Sequence, residues 1–137
     1  MSPEEPRILE KRYAVTEQEA IQFMGGEVPH VLSTPSLVNW MELTCREALM
    51  PLLAPGEDSV GVSVQVKHLA ATPVGMKVKV ISRLTRVEGR VFTFEIEAYD
   101  DLERIGEATH QRASVLVSKF AGRVAAKKEK AGGGSRT

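Results

Sequence analysis

The order of apolar and polar residues divides the chain into one helical stretch and a set of strands. From Ser59 the period is two: Val60, Val62, Val64 and Val66 alternate with Gly61, Ser63, Gln65 and Lys67, which predicts a half-buried strand. After the turn residues Thr72-Pro73-Val74-Gly75, Met76, Val78 and Val80 alternate with Lys77 and Lys79, and this strand is expected to run to about Val87. Glu88-Gly89 marks a turn. Phe92, Phe94, Ile96 and Ala98 form the next alternating set, and a last strand is expected from about Arg104 to Val117.

Before these strands the period is helical. Ser33-Thr34-Pro35 places a good capping residue ahead of a proline at the first helical position. Pro51 disfavours helical geometry at the residue before it, so the helix is expected to end near Met50. Leu37, Val38, Met41, Thr44, Cys45, Ala48 and Leu49 share one broad face, while Trp40, Leu43 and Met50 lie on the other. A helix that is apolar nearly all round needs cover, and a curved antiparallel sheet wrapped around it supplies that cover. The predicted class is therefore α+β. Residues 8–15 form a first extended piece, Thr16-Glu17-Gln18-Glu19 caps a brief turn, and the stretch around Gly25-Gly26 to His30 reads as a loop or lid.

Composition narrows the function. The 137 residues fit a single domain, expected over residues 1–120, and the basic, glycine-rich end from 121 to 137 is expected to be a disordered tail. Eighteen basic and eighteen acidic residues cancel, so no overall field attracts a polyanion, and nucleic acid is not an expected partner. The lone cysteine, Cys45, excludes an intrachain disulfide and suits a reducing compartment. With no long apolar run and no signal-like start, the expectation is a cytoplasmic protein without a membrane partner. Neither a metal-ligand spacing nor a dinucleotide-binding glycine motif is present.

Three residues can carry chemistry. Glu42 lies at the edge of the apolar arc of the helix, where a carboxylate is costly unless paired; the plainer reading is a rim residue paired with Arg46. His68 continues the Val60–Val66 face of its strand and points to the core side, where it is either a hydrogen-bonded structural residue or an imidazole oriented by Glu42 across the helix–sheet contact. Thr34 either caps the helix or offers a hydroxyl where free helix amides stabilise an oxyanion. His30 in the lid, His110 in mid-strand and the buried Cys45 are read as structural or peripheral. Lys67, Lys77 and Lys79 are read as a solvated face whose members are available to coenzyme phosphates.

The run Val31-Leu32-Ser33-Thr34-Pro35-Ser36-Leu37-Val38-Asn39-Trp40-Met41-Glu42, followed by His68, resembles the fluoroacetyl-CoA thioesterase branch of the hot-dog proteins. The likeness extends over roughly residues 8–117 and implies the hot-dog fold, a long helix wrapped by a curved antiparallel sheet. It implies that Thr34, Glu42 and His68 form the catalytic group, with Gly61 and Arg112 matching a glycine amide and a late-strand arginine of the family's site. It further implies a homodimer with active sites at the subunit interface. The substrate is then an acyl-CoA thioester of a small or medium acyl group, with coenzyme A as part of the substrate and no separate cofactor. The stretch comparable to the family's aromatic lid reads Met24-Gly25-Gly26-Glu27-Val28-Pro29, with Phe23 as its nearby aromatic residue, so Phe23 is the expected acyl-side contact. In this reading His68 is the general base, and Thr34 either attacks the thioester or positions water. The competing reading is an acyl-CoA-binding or sensing protein without turnover. A purely structural oligomer would leave Glu42 and His68 without a reason to face one interior.

Overall fold

The computed structural model describes residues 7–134. Strand β1 (Ile8–Ala14) is followed by a 3-10 turn (Glu17–Glu19), the short strands β2 (Ala20–Ile21) and β3 (Val31–Leu32), and helix α1 (Thr34–Leu49). Four long strands come next: β4 (Glu57–His68), β5 (Lys77–Glu88), β6 (Val91–Tyr99) and β7 (Arg104–Leu116). β1 and β4–β7 form one antiparallel sheet in the order β1-β5-β6-β7-β4, and β2 pairs with β3. A long helix against a curved antiparallel sheet is the hot-dog fold expected from the sequence.

Helix α1 fills the sheet. Leu37, Met41, Cys45 and Leu49 are fully buried and meet Val78, Val80, Leu84, Phe94, Ile96 and Ile105 of the sheet. Each such side chain contributes about 1.5–3 kcal/mol of burial. Trp40, on the other apolar side of the helix, is buried as well: its ring stacks on Tyr13 at 4.9 Å, and the Tyr13 hydroxyl lies 2.8 Å from Thr44 Oγ1. Of the three residues expected on the other side of α1, only Leu43 is exposed.

Two departures from the expected pattern shape the molecule. Residues 121–134, expected in a disordered tail, belong to a helix, α2 (Val117–Gly134). The reason is local: Ala125, Ala126, Lys127, Lys128, Glu129, Lys130 and Ala131 are all strong helix formers, and they outweigh the glycines placed at the helix end. Residues 135–137 of that stretch lie outside the described residues.

The second departure is in β4, which is not a uniform alternation. Its register with β7 shifts between Gly61 and Ser63, leaving Val62 as an extra residue in a β-bulge. Before the bulge the odd residues Ser59 and Gly61 face α1; after it the even residues Val64, Val66 and His68 do. In an unbroken strand Gly61 and His68 would point to opposite faces. The bulge puts both on the helix side.

Candidate active site

At one end of the α1–β4 contact, Ser33 and not Thr34 caps the helix: the Ser36 amide donates to Ser33 Oγ at 3.2 Å. The capping duty is thus met by the neighbour, and the Thr34 hydroxyl is free to turn to β4. There it lies 2.7 Å from His68 Nδ1. The other ring nitrogen of His68, Nε2, is buried and has no hydrogen-bond partner among the described residues. Burial lowers the His68 pKa below its ordinary value of 6.5, so the ring is neutral at neutral pH.

A pocket of about 520 Å³ opens beside this pair. Ile21, Phe23, Met24, Val31 and Leu69 supply its apolar wall, with Thr34 and His68 as its chemistry. The loop at residues 22–30 forms the outer rim, and Phe23 stands 79% exposed on it. His30 holds the base of that loop through Nδ1, 2.6 Å from Glu17 Oε2.

At the other end of the contact lies a second cluster, built around Arg112. This guanidinium is buried; Nε donates to Ser59 Oγ (2.8 Å), Nη2 to the Ser59 carbonyl (2.9 Å), and Nη1 to Glu42 Oε2 (3.1 Å). Glu42 therefore pairs across the helix–sheet contact rather than with Arg46, whose guanidinium is taken by Asp58 at 2.6 Å and 2.9 Å. Gly61 makes room for the carboxylate: a Cβ there would fall 2.5 Å from Glu42 Oε2. The expected candidates thus divide into two groups, Thr34 with His68 and Phe23, and Glu42 with Gly61 and Arg112. Within the chain the Glu42 carboxylate is hydrogen-bonded to Arg112 and not to His68. Thr34 and Glu42 are eight residues apart on α1, about 12 Å along its axis.

His110, expected to be structural or peripheral, completes the second cluster. It is 1% exposed, two residues before Arg112 on the same face of β7, and its Nε2 lies 3.2 Å from Arg112 Nη1. Strand periodicity alone could have linked the two. Cys45 is buried under the same cluster and its thiol is pushed up to about 12, chiefly by burial, which leaves it unreactive. Lys79 packs over the Tyr99 ring at 5.6 Å. Among the described residues no three His, Cys, Asp or Glu side chains gather closely enough to hold a metal ion, and no helix is long and apolar enough to cross a membrane.

Comparison with known proteins places this geometry. The fluoroacetyl-CoA thioesterase of Streptantibioticus cattleyicolor is 42% identical over 99 residues, which cover 72% of this chain and 71% of that one. The structure of the fluoroacetyl-CoA thioesterase FlK superposes with a TM-score of 0.81 at 34% identity, over 89% of this chain and 95% of that one. A thioesterase superfamily member from Thermus thermophilus gives 0.83 at 29% identity, over 92% and 93%. The family model described as fluoroacetyl-CoA-specific thioesterase matches residues 15–118, spanning α1, both clusters and strands β4–β7 of the sheet, and the chain belongs to that family.

Proposed function

We propose that the chain hydrolyses the thioester of a small or medium acyl-CoA, releasing the free acid and coenzyme A. The observation that carries this reading is the 2.7 Å approach of Thr34 Oγ1 to a neutral His68 at the mouth of an apolar pocket. His68 removes a proton either from Thr34, which attacks the thioester carbonyl to give an acyl-Thr34 ester that a His68-activated water then hydrolyses to the free acid, or from a water that Thr34 positions for direct attack. The tetrahedral oxyanion is met by the Thr34 amide and, in the dimer described next, by an amide near Gly61 of the partner subunit, and the departing thiolate takes the proton back from His68 as CoA thiol. The acyl group lies along Ile21, Phe23, Met24 and Leu69; the pocket has room for more than a two-carbon acyl group. Coenzyme A is part of the substrate, and the reaction needs no further cofactor. We assign the protein to the cytoplasm, where the free thiol of Cys45 stays reduced.

The working unit in this reading is a homodimer with composite sites. β4 is an edge strand whose residues Gly61, Val62, Ser63, Val64 and Gln65 are all exposed, and such an edge is a template for another strand. Antiparallel pairing of two β4 strands about a two-fold axis at Gln65, with Val62 of each strand bulged out as it is against β7, sets Gly61 of one protomer opposite His68 of the other, with both on the helix side. Glu42 of the partner subunit then approaches the Thr34–His68 pair that its own chain leaves distant. A non-catalytic sensor of acyl-CoA is the competing reading, and membership of a thioesterase family favours turnover.

Purified protein offered short, branched, medium and aromatic acyl-CoAs should release free thiol from at least one class. Tight binding with no thiol release would favour the sensor. Mixing inactive His68→Ala chains with inactive Glu42→Gln chains should restore activity, because each mixed dimer then holds one site with both residues intact. If the mixture stays inactive while mixed dimers form, the site lies within one chain.

A further inference from the structure

The buried His110 makes two contacts that fix its hydrogens. Nδ1 lies 2.8 Å from the Ser63 carbonyl, which can only accept, so Nδ1 carries the hydrogen. In the neutral ring Nε2 is then bare and accepts from Arg112 Nη1 at 3.2 Å. Ser63 is the residue at which the register of β4 resumes after the bulge. Arg112 Nη1 is the group that holds Glu42. One imidazole therefore ties the irregularity of the edge strand to the buried ion pair.

We propose that His110, as its Nδ1–H tautomer, is a positioning residue for thioester hydrolysis: it pins the β4 bulge through Ser63 and holds Arg112 on Glu42. This rests on the function proposed above. The bulge is what places Gly61 and His68 on one face although they are seven positions apart. A β4 strand that lost the bulge by a one-residue slip would turn one of them away. On the other side, Arg112 Nη1 has two hydrogens, one for Glu42 and one for His110. Without the second acceptor the guanidinium is free to rotate about the pairing with Ser59, and the carboxylate moves with it. The ring edge also bounds the space at Gly61, where a Cβ would sit 3.3 Å from His110 Cε1. Burial pushes the ring toward its neutral form; the bond to Ser63 opposes it, and smaller effects follow from Arg112, which favours the neutral ring, and Glu42, which opposes it.

Two variants separate the ends of the ring. His110→Asn keeps a donor near the Nδ1 position and loses the acceptor for Arg112; His110→Gln keeps an acceptor near Nε2 and loses the short donor to Ser63. Each should lower kcat on the best acyl-CoA by about 10-fold to 10²-fold with KM little changed, since a small misplacement of acting groups costs that much. Nitrogen-15 NMR of the wild-type dimer at pH 7 should show His110 protonated at Nδ1 only. Amide hydrogen exchange in the variants should quicken at residues 62–64 in His110→Gln before His110→Asn. An Nε2–H ring in the wild type, or wild-type kcat in both variants, would overturn the proposal. Should the wild type hydrolyse no acyl-CoA, the functional reading fails, and the tautomer and exchange patterns still decide whether His110 pins the bulge.

Discussion

The two ends of the α1–β4 contact are built on opposite principles. Around Arg112, Nε, Nη1 and Nη2 all have partners, the guanidinium is buried, and a glycine clears space for the one carboxylate. Around Thr34 there is a single short bond, an exposed hydroxyl, and a buried ring nitrogen with no partner among the described residues. A saturated cluster is rigid, because any movement leaves a buried polar group unsatisfied at about 1–3 kcal/mol each. An unsaturated one has bonding capacity left for a reactant. The contrast assigns holding to the first end and reaction to the second, and substitutions at the two ends should therefore fail differently.

The largest effect belongs to the unsaturated end. His68→Ala should lower turnover by about 10²–10⁴-fold, the range for a positioned base. The melting temperature should hardly move, since the ring has one hydrogen bond to lose and its unmet nitrogen goes with it. Near-native hydrolysis by His68→Ala would reverse the assignment of the two ends.

At the saturated end the sharpest change is the smallest one. Gly61→Ala puts a methyl group 2.5 Å from Glu42 Oε2, and the carboxylate must give way. The end of a glutamate side chain moves easily, so the fold should hold, but Glu42 can no longer keep its place on Arg112. We expect turnover to fall about 10-fold to 10²-fold with a loss of stability of about 1–3 kcal/mol, read by kinetics and thermal melting on the same sample. A large loss of stability without loss of kcat would show that Gly61 serves packing alone.

These differences mark what the sequence could and could not reveal. Period-two alternation and the Ser33-Thr34-Pro35 start disclosed every long strand and the central helix, because burial on one face imposes that period. Val62 as a bulged residue was hidden: an extra valine in a valine-rich strand leaves the alternation looking unbroken, and only pairing with β7 exposes the shift. The cap was off by one residue since Ser33 and Thr34 are both good caps, and the choice between them is made by His68, far along the chain. Glu42 was correctly read as needing a partner. That Arg112 and not His68 fills this role within the protomer depends on where two strands cross the helix, which spacing along the chain does not encode.

The histidines of the two ends should act together on stability as pH falls. Burial lowers the pKa of both His68 and His110. The unfolded chain, with ordinary values near 6.5, then binds protons that the folded protein refuses. Stability should be full above about pH 6.5 and decline as pH drops through the lower folded values. His110→Gln should flatten this decline more than His68→Ala does, because His110 is the more deeply buried ring and faces Arg112. Thermal melts between pH 5 and pH 8 measure it; an unchanged slope in both variants would place the acid sensitivity elsewhere.

The mildest expected effect is at the rim of the pocket, where Phe23 is 79% exposed yet lines the same space as Thr34 and His68. Because so little of its ring is buried, Phe23→Ala should change stability by no more than about 0.5 kcal/mol. Its contribution is to the substrate: an acyl chain that covers part of the ring gains about 0.8 kcal/mol for each methylene it buries, or roughly fourfold in kcat/KM. The variant should therefore lose several-fold on medium acyl-CoAs and little on acetyl-CoA, narrowing the gap between them. Equal losses on short and medium substrates would remove Phe23 from the acyl path, and early melting with unchanged preference would make it a packing residue of the loop.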